Sequence, residues 1–168
     1  AIKAAHAFSG VSETKLSSGL KSFKGLQHRL EVIQQPDGGG RWINDSKSTN
    51  VSSVEAALSG LGHKCILLLG GQDKGESFEA LLQYEHLLED VFTFGAGAQK
   101  IADQLGTKIN ATAFGTMSQL MDHLLSSSLY PNMDVLLSPG CASFDEFLGF
   151  EDRGNYFSSR VREAFEAV

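Results

Sequence analysis

The chain reads as an α/β fold: a doubly wound, mostly parallel sheet with helices on both faces and a β-hairpin at its amino-terminal side. Three observations predict it. From Cys65 onward, short apolar runs alternate with segments of helical periodicity, the pattern of successive β–α units. Before that, two β-rich runs flank the turn-forming stretch Pro36-Asp37-Gly38-Gly39-Gly40, as in a hairpin. Three strand-like runs end in small, polar or glycine-rich loops, and in such a sheet these loops converge on one edge. The 168 residues suffice for one domain with a real core.

The elements follow in order. Ala1, Ala4, Ala5 and Phe8 have helical spacing, and Leu16, Leu20 and Phe23 form a second stripe that Ser12 is placed to open. Two helices with no strand between them break the later alternation. Residues 1–25 are therefore expected to be the edge of a preceding domain, and residues 26–168 the α/β domain. Leu30–Ile33 and Arg41–Asn44 are the hairpin strands. A helix is expected over Val51–Leu61, with Ser52 and Glu55 spaced for a capping box. Cys65–Leu69 is a buried strand by its continuous apolar run. Phe78–Leu88 is helical, Val91–Phe94 a strand, Ala98–Leu105 a helix and Ala111–Phe114 a weak strand. Met117–Leu125 is a helix with Leu120, Met121 and Leu124 on one face, and Asp134–Leu137 is a strand. A closing helical region is expected from Phe144 to near Val168, with Glu151 and Arg153 on its solvated face.

Composition excludes several classes. A net charge of -6 argues against a nucleic-acid partner, which needs a basic footprint. No apolar run approaches the roughly 20 residues of a membrane span, and no secretory signal is visible. Cys65 and Cys141 belong to no CxxC pair, so they read as reduced thiols and no metal site is expected. The start at Ala1 without methionine suggests a piece of a longer protein.

Three stretches could carry chemistry. Asn44-Asp45-Ser46-Lys47-Ser48-Thr49-Asn50 holds more donors and acceptors than a β–α turn needs, although it also reads as a hydrophilic turn capping the next helix. Gly70-Gly71-Gln72-Asp73-Lys74-Gly75 places a cation at a glycine-rich turn, yet it is neither a P-loop nor GxGxxG, and a tight turn with a solvated lysine explains it as well. Ser143 and Glu146 form an S-x-x-E pattern, either a capping box or a carboxylate site at a helix N-terminus. Phe144, Phe147 and Phe150 have helical spacing, and one of them could wall a ligand rather than fill the core. His28-Arg29-Leu30-Glu31 reads as a surface charge pair entering a strand, and His6, His63, His86 and His123 as surface or boundary residues. Two lysines and a helix N-terminus on one edge suit a dianionic small ligand such as a dicarboxylate.

These motifs, in this order and with these spacers, resemble the Mur ligase family over almost the whole chain. They are His28-Arg29-Leu30-Glu31, Asn44 to Asn50, Leu69 to Lys74, and Leu137-Ser138-Pro139-Gly140-Cys141-Ala142-Ser143-Phe144-Asp145. The ending Ser143 to Gly154 looks most like the branch that adds D-glutamate. The DNPR motif of the diaminopimelate-adding branch is absent. Ser48 and Gly140 stand where the family pattern has alanine, two small departures.

The resemblance implies a Rossmann-like third domain, preceded in residues 1–25 by the last helices of the central ATP-binding domain. It implies a cytoplasmic ligase that joins D-glutamate to UDP-N-acetylmuramoyl-L-alanine through an acyl phosphate, using ATP and Mg2+. By the same resemblance Lys47, Thr49, Lys74, Ser143, Phe144 and Phe150 hold D-glutamate, while Arg29 and Asp45 meet the nucleotide. Ser46 and His28 stand beside them with roles left open. The family's P-loop lysine and magnesium ligands have no counterpart in this sequence, so the fragment is expected to bind neither ATP nor Mg2+ alone and to be inactive without its first two domains. Another Mur ligase or a folylpolyglutamate synthase would share these features, and a non-catalytic Rossmann-like binding module is the alternative of a different class.

Overall fold

A computed structural model describes residues 6, 7, 9–22, 25–36, 38–106, 108–126 and 130–166. Six strands are present among them: β1 Glu31–Gln34, β2 Trp42–Asn44, β3 Cys65–Gly70, β4 Leu88–Phe94, β5 Ala111–Phe114 and β6 Asp134–Gly140. They form one sheet in the order β1-β2-β6-β3-β4-β5. β1 runs antiparallel to β2, as the hairpin reading expects, and every other pairing is parallel.

The helices are α1 Glu13–Ser22, α2 Val51–Leu61, α3 Ala98–Leu105, α4 Met117–Ser126 and α5 Phe150–Glu166. Phe78–Leu87 is helical as expected but winds as a 3₁₀ run. The four stripe residues of the first expected helix, and Phe23 of the second, lie outside the described residues. Ser12 does open α1, its hydroxyl accepting from the Lys15 N–H at 3.4 Å.

The strand pleat divides the core in two. Cys65, Leu67 and Leu69 pack with Val54, Leu58, Leu81 and Ile101 under α2, the 3₁₀ run and α3. Ile66 and Leu68 point the other way, toward Leu120, Met121, Phe157 and Val161 of α4 and α5. All five β3 side chains from Cys65 to Leu69 are fully buried, and each leucine or isoleucine among them contributes about 1.5–3 kcal/mol by leaving water. This two-sided burial is why β3 reads as a continuous apolar run.

Two helix starts differ from expectation. α2 is capped by Asn50, whose side chain accepts from the Ser53 N–H at 2.9 Å, rather than by the Ser52–Glu55 pair. α5 begins at Phe150, six residues later than expected. Ser143 to Gly149 form turns instead, with the Ser143 carbonyl accepting from the Phe147 N–H at 2.8 Å. The Ser143–Glu146 capping box is therefore not formed. Glu146 accepts from the Met117 N–H at the start of α4, and Asp145 accepts from the Ala96 N–H after β4. These two carboxylates fasten the loop to its neighbours and hold it out of helix.

Candidate functional site

β6 lies between β2 and β3, and the loops leaving the carboxyl ends of these three strands meet where the sheet order reverses. Gly70 and Gly71 turn the chain at the end of β3 with φ of 141° and 118°. A Cβ on Gly70 would stand 2.0 Å from the Phe94 carbonyl oxygen, so only glycine permits this approach. Gln72 then bridges to Ala142 after β6, its N–H donating to the Ala142 carbonyl at 2.8 Å.

The loop after β2 is built from the inside. Asn44 is fully buried. Its Oδ1 accepts from the Ser46 N–H at 3.1 Å, and its Nδ2 donates to the Gly154 carbonyl at 2.9 Å, which fixes the amide's orientation. The same Nδ2 lies 2.9 Å from the Ser158 hydroxyl and 3.0 Å from His28 Nδ1. Of the His28–Glu31 segment, Arg29 is exposed, whereas His28 is 2% exposed and has φ of 60°. Its ring rests on α5 where Gly154 leaves room, since a Cβ there would lie 2.3 Å from Nδ1. Its carbonyl accepts from the Lys47 N–H at 3.1 Å, so His28 helps to fix the loop after β2.

Asp45 is also buried and accepts from the Ser48 and Ser138 hydroxyls and from the Leu30 N–H. Burial pushes its carboxyl above the usual range, against the pull of those hydrogen bonds and of the more distant Arg29. A cleft of about 510 Å³ opens beside it, walled by Arg29, Leu30, Asp45, Lys47, Thr49 and Asn50 with the first turns of α2. The cleft joins the two expected nucleotide contacts, Arg29 and Asp45, to two of the expected amino-acid contacts, Lys47 and Thr49.

The other expected contacts lie beside the cleft rather than in its wall. The Lys47 ammonium sits 3.6 Å from the centroid of the Phe150 ring, a cation–π contact that anchors its head. The Lys74 ammonium reaches the Thr49 carbonyl at 3.5 Å. Ser46 donates to the Phe150 carbonyl at 2.8 Å. Ser143 is buried at 2%, whereas Phe144 is 68% exposed and belongs to no core. Lys47, Thr49, Lys74 and Phe150 are thus linked by contacts, and Ser143 and Phe144 occupy the adjoining loop.

One residue at the centre was misread from the sequence. Glu151 is exposed as expected, but Arg153 is fully buried. Its guanidinium donates to the Ser46 hydroxyl and carbonyl, and to the Gly70, Cys141 and Ala142 carbonyls, at 3.0–3.4 Å. Burial lowers its pKa to about 10, which leaves it charged at neutral pH. A clue was present: Phe150, Arg153, Gly154, Phe157, Ser158 and Val161 fall on one face of a 3.6-residue period, so Arg153 shares the inward stripe.

Residues 28–141 match the family model described as Mur ligase, glutamate ligase domain. The chain belongs to the Mur ligase family. It is 39% identical over 155 residues to the UDP-N-acetylmuramoylalanine--D-glutamate ligase of Chlamydia pneumoniae, covering 91% of this chain and 36% of that protein. It is 42% identical over 159 residues to the enzyme of the same name from Escherichia coli K12, covering 92% of this chain and 35% of that one. The chain therefore spans about a third of the length of the curated Mur ligases it matches. Among solved structures, the UDP-N-acetylmuramate-alanine ligase of Thermotoga maritima superposes with a TM-score of 0.70 at 15% identity, covering 98% of this chain and 36% of that one. Escherichia coli FolC, solved with ADP, gives 0.61 at 16% identity over 94% of this chain and 36% of its own. Those two likenesses show the shared fold of this Mur ligase domain. No helix of the described residues is long and apolar enough to cross a membrane.

Proposed function

We propose that residues 26–168 are the amino-acid-binding domain of an ATP-dependent ligase that adds D-glutamate to UDP-N-acetylmuramoyl-L-alanine, and that residues 1–25 end its central ATP-binding domain. The observation that carries this reading is 39–42% identity, over nine-tenths of the chain, to ligases named for D-glutamate. In this reaction the alanine carboxylate attacks the γ-phosphorus of ATP and ADP leaves. The amine of D-glutamate then attacks the acyl carbon and phosphate leaves, forming the amide.

The domain's own residues serve the second step. Lys47 and Lys74 pair with the two carboxylates of D-glutamate, with Thr49 and Ser143 donating hydrogen bonds and Phe144 and Phe150 closing the apolar side. Fixing the nucleophile in this way removes much of the entropic barrier to amide formation. Arg29 and Asp45 meet the nucleotide across the 510 Å³ cleft, with Ser46 and His28 holding the loop that carries Asp45. ATP and Mg2+ are bound chiefly by the preceding domains, so the fragment alone is inactive. The product is a cytoplasmic cell-wall precursor, which ties the protein to peptidoglycan synthesis and so to cell shape and division.

The test is ADP release by the full-length enzyme with UDP-N-acetylmuramoyl-L-alanine and either D- or L-glutamate. Release that needs the D isomer is expected. Equal turnover of both isomers, or of another amino acid in place of glutamate, would sink the reading.

A further inference from the structure

Arg153 is an anomaly by ordinary physical chemistry. A guanidinium is rarely buried without an acid beside it, because desolvation is costly and a carboxylate is the usual compensation. Here the side chain is fully buried, and all five of its hydrogen bonds end on neutral oxygens. Its donors are satisfied by neutral groups, and it forms no ion pair among the described residues, Asp145 and Glu146 acting on it only through space.

The position of those oxygens is specific. Ser46 follows β2, Gly70 closes β3, and Cys141 and Ala142 follow β6. Lys47 is the residue after Ser46, and Ser143 is the residue after Ala142. One planar fork therefore ties together the roots of all three loops that carry the acceptor-site candidates. On the nucleotide side, Asp45 has further supports of its own in Ser48, Ser138 and Leu30.

We propose that Arg153 is the positioning residue of the D-glutamate site, setting the spacing of Lys47, Lys74 and Ser143. This rests on the function proposed above. Lysine at this position keeps the charge but cannot span five acceptors in a plane, and glutamine loses both the charge and the fork.

The test is steady-state kinetics of the full-length enzyme carrying Ser46→Ala, Arg153→Lys or Arg153→Gln, with D-glutamate and ATP varied separately. The KM for D-glutamate should rise least for Ser46→Ala and by about tenfold or more for either Arg153 variant, while the KM for ATP stays within about twofold. A fall in melting temperature with an unchanged KM for D-glutamate would overturn the proposal, leaving Arg153 as a purely structural brace. So would a parallel rise of both KM values. If the Arg153 variants do not fold, Ser46→Ala carries the test, since it keeps the guanidinium and removes one of its acceptors. A wild-type enzyme that fails to use D-glutamate overturns the functional assignment itself, before any variant is compared.

Discussion

At the amino-terminal edge of the sheet, Asp134 opens β6 and meets Arg41 through the arginine's backbone N–H, Nε and terminal nitrogen, with His63 Nε2 at 2.7 Å. At the carboxyl-terminal edge, buried Arg153 hydrogen-bonds to no acid and buried Asp45 only to hydroxyls and an N–H, while Asp145, Glu146 and Arg29 act on them from a distance. The same sheet thus pairs its charges directly at one end and leaves them without a bonded counter-charge at the other. The carboxyl shifts record the difference. Burial pushes Asp134 up, but its bonds to Arg41 and His63 outweigh that and hold it below the usual range. Burial pushes Asp45 up and its partners fail to bring it back. Charges balanced by their neighbours serve stability, and charges left open are available to a ligand.

The largest expected effect separates the edges by activity. Lys74→Met in the full-length enzyme should lower kcat/KM for D-glutamate about a hundredfold, or about 2.7 kcal/mol, with the melting temperature unmoved. Lys74 is exposed and holds little of the fold together. Arg41→Met, at the opposite edge, should do the reverse: kcat/KM within about twofold and a lower melting temperature. Loss of activity from Arg41→Met in a folded enzyme would break the comparison.

Much of the fold was legible in the sequence, and what was hidden was long-range. β3 announces itself because both its faces are buried, and α2 and α3 because one face of each is apolar. The loops bearing Lys47, Lys74 and Ser143 were visible as polar or glycine-rich ends of strands. β6 was cut short at Leu137 because Ser138 and Pro139 interrupt its apolar run. Ser138 stays buried in the strand because its hydroxyl has Asp45 to bond, and Asp45 lies 93 residues earlier in the chain. The late start of α5 is of the same kind: Asp145 and Glu146 are good first-turn residues, but their carboxylates are spent on Ala96 and Met117. A local pattern cannot show a partner that only the folded sheet brings near.

The middle effect concerns stability alone. Asp134→Asn should cost the chain about 1–2 kcal/mol in urea unfolding at neutral pH, because charge-assisted hydrogen bonds to Arg41 are lost. Its folded pKa is depressed, so its contribution is complete above the unfolded value of about 3.9 and disappears as pH falls through the folded one. The variant should therefore lose part of the acid limb of the stability profile. An acid limb identical to wild type would mean that Asp134 is not held as described.

The smallest effect has the opposite sign. Asp45 has a raised folded pKa, so whatever stability it contributes is present below about pH 3.9 and lost as pH rises through the folded value. At neutral pH the native state carries a buried charge at a cost. Asparagine has the same shape, can still accept from the Leu30 N–H, and can donate to the Ser48 and Ser138 oxygens. Asp45→Asn should then raise stability slightly at pH 7, by under about 1 kcal/mol, while weakening the nucleotide contact proposed for it. Two aspartates bonded near opposite ends of one strand would respond to the same substitution in opposite directions. A destabilised Asp45→Asn, matching Asp134→Asn in sign, would show that the carboxyl edge is braced like the amino edge and would remove the physical basis for placing the site there.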